Sequence, residues 1–291
     1  MAATVADLTI AYRVMSQPCQ SDPVQGKFAI STPPAPSAKK VLGVPREWIS
    51  RSAPAVLDHF NKVIDYLKGV GYEVIDIKLP YLREGQLTHA SVCLTEAVDN
   101  ARRRVPPGED WVGLLNHQNR MLFTSGVHTP ALDFLRYGQI RHVIMGHLAF
   151  LFEQHPGLMI ISPTTPTTGM KIHPGDQAYG FTDVNVTIAN MRYAWLSNLS
   201  GCPSVTCPMG YAVPEQGGGE GKMPMGFLAM GEWGAEEQLL MLAAGMETYL
   251  NEQYTGGRLL PEEWVDVLEL AQEKAKNTSQ VQNNGVSDSN H

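Results

Sequence analysis

The residues best placed by type to act as a nucleophile and its base are Ser37 and the lysines after it, in the stretch "SAKK" over residues 37–40. Ser-x-x-Lys is the spacing of an acylating pair, in which a neutral lysine one helical turn on takes the serine proton. That chemistry needs the serine at a helix start. Pro33, Pro34 and Pro36 put this one in an irregular connector, so the match is read as coincidence. "GGGEGK" over residues 217–222 invites a phosphate loop, whose backbone amides would cradle phosphate. Gln216 stands where the first glycine is required and Met223 where the magnesium-binding hydroxyl is required, and a flexible hairpin loop is the better reading. Cys202 and Cys207 have Cys-x4-Cys spacing, but a zinc site wants four ligands and no second pair exists, so they read as buried side chains on a strand. His142, His147, His155 and His173 form no His-Glu-x-x-His pattern and have no orienting carboxylate nearby in sequence. A Ser–His–Asp triad stays open without any Gly-x-Ser-x-Gly turn to advertise it. The residues themselves point to no catalytic centre and imply no metal or cofactor.

The elements that would position any site are clearer. Thr4 and Asp7 form a capping box at the start of a helix, along which Val5, Leu8, Ala11, Tyr12 and Met15 share one face. A connector rich in Pro and Ser follows. "KKVLGVP" is a short buried strand, the stretch from Ala53 a strong amphipathic helix with Val56, Phe60, Val63, Ile64 and Leu67 on one face, and "YEVIDIKLP" a second strand. Strand, helix, strand predicts a parallel pair. Helices are predicted near Leu82–Arg103, Trp111–Ser125 and Pro130–Gln154, then a strand over Leu158–Ser162 entering a Pro/Thr turn. A helix near Val186–Leu199, strands in "GCPSVTCPMG" and "KMPMGFLAMG", a helix in "AEEQLLMLAAGMETYLNEQY" and a last one over Pro261–Lys276 complete the reading. The fold class is α/β, with residues 1–276 as the domain and 277–291 as a polar, disordered tail.

Composition narrows the function classes. The chain has 291 residues, of which 43% are hydrophobic, enough for a sizeable core. A net charge of −7, with Arg102–Arg104 as the one dense basic run, argues against a nucleic-acid partner; that run reads as a solvated helix end. No apolar run approaches the ~18 residues of a bilayer span, and the start lacks a signal-peptide pattern, so a cytoplasmic protein is expected. Four cysteines make no disulfide framework.

The second half of the chain carries an ordered set of motifs. Pro163, Thr164 and Pro166 form a Pro-Thr-x-Pro turn at a strand end. Asn198, Gly201 and Pro203 lead into a strand that ends in Pro208 and Gly210, and Pro224 and Gly226 mark the next strand. These motifs, with the opening Thr-Val-x-Asp-Leu helix, resemble the amidase-signature family over nearly everything up to Gln253. The resemblance implies a mixed sheet flanked by helices and amide hydrolysis through an acyl-enzyme, with a small-molecule amide as substrate. It also implies that the loop at Pro163, Thr164 and Thr165 and the turn at Asn198 and Gly201 help wall the acyl pocket, with packing as the alternative role for each. Arg141 falls where some relatives hold a charged substrate, with a surface ion pair as its alternative. The apolar, aromatic "MRYAWLSNLSG" leans toward a lipophilic or aromatic amide.

In that family a serine nucleophile, a bridging serine, a lysine and a glycine-rich oxyanion loop lie ahead of the Thr-Val-x-Asp-Leu helix. None of these matches a stretch of this sequence, and its lysines sit among charges or in turns. The expectation is a carboxyl-terminal portion of an amidase, inactive alone. A non-catalytic binding or assembly module of amidase ancestry is the competing reading. A homodimer, or a partner carrying the complementing amino-terminal half, would cover its exposed face.

Overall fold

The computed structural model describes residues 1–19, 21–25, 30–170, 172–181, 183–214, 222–254, 259 and 270–274. Its first helix, α1 (Val5–Met15), starts as the capping pattern requires. The Thr4 hydroxyl accepts from the Asp7 N–H at 3.1 Å and donates to the Asp7 carboxylate at 2.7 Å. The shorter Asp thus returns to the threonine hydroxyl, where the Glu of a full capping box reaches the backbone. Helix α1 lies on the last described long helix, α10 (Glu236–Gln253), through a bidentate Arg13–Glu237 pair, both bonds 2.8 Å, and a Val5 N–H donated to Glu247 at 3.3 Å. Val5 packs on the core, but Met15 is exposed, contrary to the expected face. The carboxyl end of α1 is held by the arginine clamp rather than by its apolar side chains.

Strand β1 (Val41–Val44) is followed by a short α2 (Arg46–Ile49), then α3 (Pro54–Gly69) and β2 (Glu73–Asp76). All five residues predicted on the inner face of α3 are buried, and β1 pairs with β2 in parallel, Val41 opposite Glu73. The positive φ of Gly71 ends the helical segment, and the Tyr72 N–H donates back to Leu67.

A helical excursion of α4 (Leu82–Arg102), α5 (His117–Val127) and α6 (Ala131–Gln154) separates β2 from β3 (Leu158–Pro163). The predicted start of α5 at Trp111 is displaced because residues 112–114 form a separate 3-10 turn and Asn116 caps the helix. Arg103 and Arg104 bond Asp99 and Asn100 at the exposed end of α4, as a solvated helix end should.

All six residues of β3 are buried, and the strand runs parallel to β1. Beyond it lie α7 (Asp176–Tyr179), α8 (Val184–Asn190), α9 (Trp195–Ser200), β4 (Ser204–Ala212), β5 (Met223–Met230) and α10 (Glu236–Gln253). The single helix predicted near Val186–Leu199 is two, α8 and α9. The break at residues 191–194 lets Tyr193 and Trp195 both pack edge-to-face with Trp48, at 5.2 and 5.9 Å between ring centroids. Strands β4 and β5 form an antiparallel hairpin with a bulge between Pro208 and Gly210. The glycine-rich residues 217–221 lie outside the described residues. So do the tail 277–291 and all of the predicted Pro261–Lys276 helix except residues 270–274, which are helical. The five-stranded sheet has the order β2-β1-β3-β5-β4, parallel in its first three strands and mixed overall.

Candidate functional site

In open α/β sheets, ligands collect beyond the carboxyl ends of parallel strands. Here that edge is built by the segment after β1, the loop after β3 and the turn between α8 and α9. The β3 loop is fixed from several sides. The Ala53 N–H donates to the Pro166 carbonyl at 2.8 Å, tying it to the segment before α3. The Thr164 N–H donates to the Gly226 carbonyl at 2.7 Å, extending the β3–β5 ladder by one bond. The Thr167 hydroxyl donates to the Asn190 side chain at 2.8 Å, and the Asn190 amide donates in turn to the Val186 carbonyl at 3.0 Å. The Thr168 hydroxyl reaches the Val213 carbonyl at 3.3 Å. The loop is therefore set in advance by four different elements.

Thr164 explains the Pro-x-Gly motif of β5. A Cβ on Gly226 would run into the Thr164 hydroxyl, so only glycine lets the loop lie against the strand. The Thr164 hydroxyl itself lies 3.4 Å from that of Thr206 on β4, and Thr165 donates to the Thr167 carbonyl at 3.1 Å. Pro163, Thr164 and Thr165 are thus brought together beside a hydroxyl of β4.

The other expected site residues lie elsewhere. In the sheet register, Pro163 is level with Phe227 and Cys207, whereas Ser204 is level with Met230 and Ile160. Asn198 and Gly201 precede Ser204, so they sit toward the amino end of β3. Asn198 is exposed, and Gly201 has φ +77° and closes α9 by donating its N–H to Ser197 at 2.9 Å. Arg141 is exposed on α6, and no ion pair holds it among the described residues. The loop and the 198–204 turn therefore flank opposite ends of one strand, and the structure does not join them in one wall.

Sequence reasoning missed Ser52 and Tyr193. Their hydroxyls meet at 2.6 Å and both residues are buried, Tyr193 to 1% exposure. Burial raises the Tyr193 pKa above its ordinary value, against a smaller lowering by Ser52 and Arg192. A neutral phenol beside an unactivated serine is no nucleophile–base pair. It is a buried clasp that pins the segment before α3 to the α8–α9 turn, directly beside Ala53 and its bond to the loop. The one sequence signal was a tyrosine within the apolar "MRYAWLSNL". Trp48, Ile160, Tyr193, Leu196, Leu228 and Met230 close in beneath it and leave almost no space.

The other serines around β3 are equally unactivated. Ser162 donates to the Pro163 carbonyl, Ser204 to Ser197, and Ser197 and Ser200 to carbonyls of their own helix. Every described lysine is exposed, those of the "SAKK" stretch included. Cys202 and Cys207 are free thiols in the core, pushed by burial up to about 11 and about 12. Among the described residues, no group of three or more His, Cys, Asp or Glu side chains could hold a metal ion, and no helix is long and apolar enough to cross a membrane.

Comparisons with known proteins agree with this architecture. Residues 1–240 match the profile of the family described as Amidase. The chain is 26% identical over 265 residues to a fatty acid amide hydrolase of Medicago truncatula, covering 87% of this chain and 41% of that protein. It is 25% identical over 276 residues to the A-subunit of the glutamyl-tRNA(Gln) amidotransferase of Thermus thermophilus, covering 85% of this chain and 54% of that one. The crystal structure of the corresponding polypeptide from Thermotoga maritima shares the fold at a TM-score of 0.66 and 21% identity, over 90% of this chain and 54% of that chain. A 6-aminohexanoate cyclic dimer hydrolase does so at 0.62 and 16% identity, over 86% and 54%. The chain spans about half the length of the relatives it matches, or less.

Proposed function

The chain belongs to the amidase family, and from that premise we propose that it forms the carboxyl-terminal part of a serine-dependent amide hydrolase. In this reading it walls the acyl pocket, while the nucleophile and its lysine base come from residues outside this sequence. The observation that carries the reading is the loop Pro163–Gly169. It stands at the carboxyl ends of β1 and β3, is held by bonds from four elements, and presents the hydroxyls of Thr164 and Thr165. Preorganisation of this kind suits substrate positioning. Among the described residues no nucleophile–base pair stands at this face, in keeping with assigning the chemical step elsewhere. The apolar, aromatic stretch over residues 191–201 and the fatty acid amide hydrolase among the relatives favour a lipophilic or aromatic amide. Free cysteines at all four positions suit the cytoplasm. Asn198, Gly201 and Arg141 remain secondary site candidates, to be tested by substitution in an active assembly.

A serine-directed fluorophosphonate probe on the purified chain tests the reading directly. The expected result is no specific labelling and no amide turnover. A stoichiometrically labelled serine would overturn it and place a nucleophile within these residues.

A non-catalytic assembly module is favoured by one other observation. Strand β4 is the edge of the described sheet, and a cavity of about 360 Å³ opens beside it between α1 and α10. A complementing chain that adds strands at this edge would fill both. Immunodetection of the native protein through the α10 segment separates the two readings. A band well above the 31.9 kDa of this sequence supports the hydrolase portion, and a single band at that mass supports the module.

A further inference from the structure

Helix α6 buries only one face. Ile144, Leu148, Leu151 and Phe152 point into the fold. At 100° per residue, positions 132, 136, 139, 143, 146, 150 and 153 lie on the opposite side, in the a/d spacing of a heptad. All seven are exposed in the structure. They are not the usual polar surface of a solvated helix. Val143 is 50% exposed and Phe150 54%, with Leu132 at 59% and Leu135 at 66% along the same side. Gly146 lies between Val143 and Phe150, and no atom of the described residues stands within 4 Å of where a Cβ would be.

The order of these residues is self-complementary. With a second copy laid antiparallel about a two-fold axis between residues 144 and 145, a positions meet d positions in layers. Arg136 then faces Glu153 of the second copy, Gln139 faces Phe150, and Val143 fits over Gly146. The two-fold repeats each layer. Both ends carry an opposite-charge pair, the middle pairs a branched side chain with a glycine, and no layer opposes like charges. A parallel pairing would set Arg136 on Arg136 and Glu153 on Glu153, so the charges select the antiparallel arrangement. Arg136 now holds Asp133 on its own helix at 3.2 Å in an exposed pair, which is weak enough to be shared.

We propose that the outer face of α6, centred on Val143 and Gly146, is an isologous interface by which two copies of this chain pair antiparallel. This surface is on the opposite side of α6 from the core and makes no use of the loop after β3, so it stands or falls apart from the hydrolase reading.

The test is sedimentation velocity or light scattering on the purified chain over a concentration series, with circular dichroism to check that each variant is folded. The native chain is expected to dimerise, and Phe150→Glu to be monomeric throughout. Arg136→Glu alone and Glu153→Arg alone each create two repulsive end layers, and each should weaken the dimer by about 30-fold. Mixing those two variants should restore association. In the heterodimer one copy carries a carboxylate at both end positions and the other a guanidinium at both, so each end layer again pairs opposite charges. A native chain that stays monomeric overturns the proposal, whatever else covers the face. So does a dimer indifferent to Phe150→Glu, or a folded mixture that fails to re-associate.

Discussion

The two ends of β3 both carry motif residues of one family, and they use them in opposite ways. At the carboxyl end, Thr164, Pro166, Thr167 and Thr168 engage β5, the segment before α3, α8 and the end of β4 through main-chain and hydroxyl bonds. At the amino end, Gly201 and Pro203 contribute main chain alone. Gly201 takes the left-handed conformation that closes α9, and the Pro203 carbonyl accepts from Gly231 at 3.0 Å. One end is a place where polar groups from distant segments converge; the other is a place where the chain must turn. A shared motif therefore marks two physical demands.

The sharpest way to break the convergent end is through Gly226. Adding a methyl there drives an atom into the Thr164 side chain and the neighbouring Thr206 methyl, neither of which can leave without giving up the loop. Gly226→Ala is expected to destabilise the fold by about 3 kcal/mol in urea titration, at the upper end of overpacking costs. A cost near zero would mean that the loop is soft and the four-sided tie is not what holds it.

The clasp beneath the loop comes next. Tyr193→Phe leaves the buried Ser52 hydroxyl without its partner and is expected to cost about 2 kcal/mol. The same residue should sense alkaline pH. Burial raises Tyr193 above the ordinary phenol value near 10, and raises Tyr249 to about 12. The folded chain therefore holds these protons more tightly than the unfolded one. Their contribution is fully present below about pH 10 and is lost as pH rises through the folded values. Denaturation midpoints measured at increasing pH should fall above pH 10, and the fall should be shallower in Tyr193→Phe.

What could be read in advance follows the range of the interaction that determines it. Helix α3 was legible because Val56, Phe60, Val63, Ile64 and Leu67 repeat at helical spacing within about three turns, and each is buried. The parallel pairing of β1 and β2 followed from the short strand–helix–strand connection. The split between α8 and α9 was not legible, since no glycine or proline interrupts residues 190–195. It is imposed by Trp48, which lies about 145 positions away in sequence and receives both aromatic rings. The site was half legible for the same reason. Pro163 and Thr164 could be picked out as a turn, but their dependence on Gly226 and Ala53 exists only once the sheet has formed. The Ser52–Tyr193 clasp joins residues 141 apart, each ordinary in its own stretch.

At the turning end, a substitution should cost only what the backbone pays. Gly201 sits at φ +77° with open space around its Cα, the nearest side-chain atom to an added Cβ being Trp233 Nε1 at 3.8 Å. Gly201→Ala therefore meets conformational strain without a clash, and about 1 kcal/mol is expected. That is a third of the figure for Gly226, although both glycines belong to motifs of the same family.

Asn198 gives the smallest expected effect and the most discriminating one. Its side chain is exposed, and α9 and β4 are held by Ser197, Ser204 and the core around them. Asn198→Ala should change stability by no more than about 0.5 kcal/mol. In an assembly competent for amide hydrolysis, the same substitution should leave turnover within about twofold, because the register places this turn beyond the amino end of β3 and away from the loop. A loss of activity with unchanged stability would mean that both ends of β3 contribute to one site, with the complementing residues bridging them. The distinction between site and scaffold would then have to be redrawn along the whole strand.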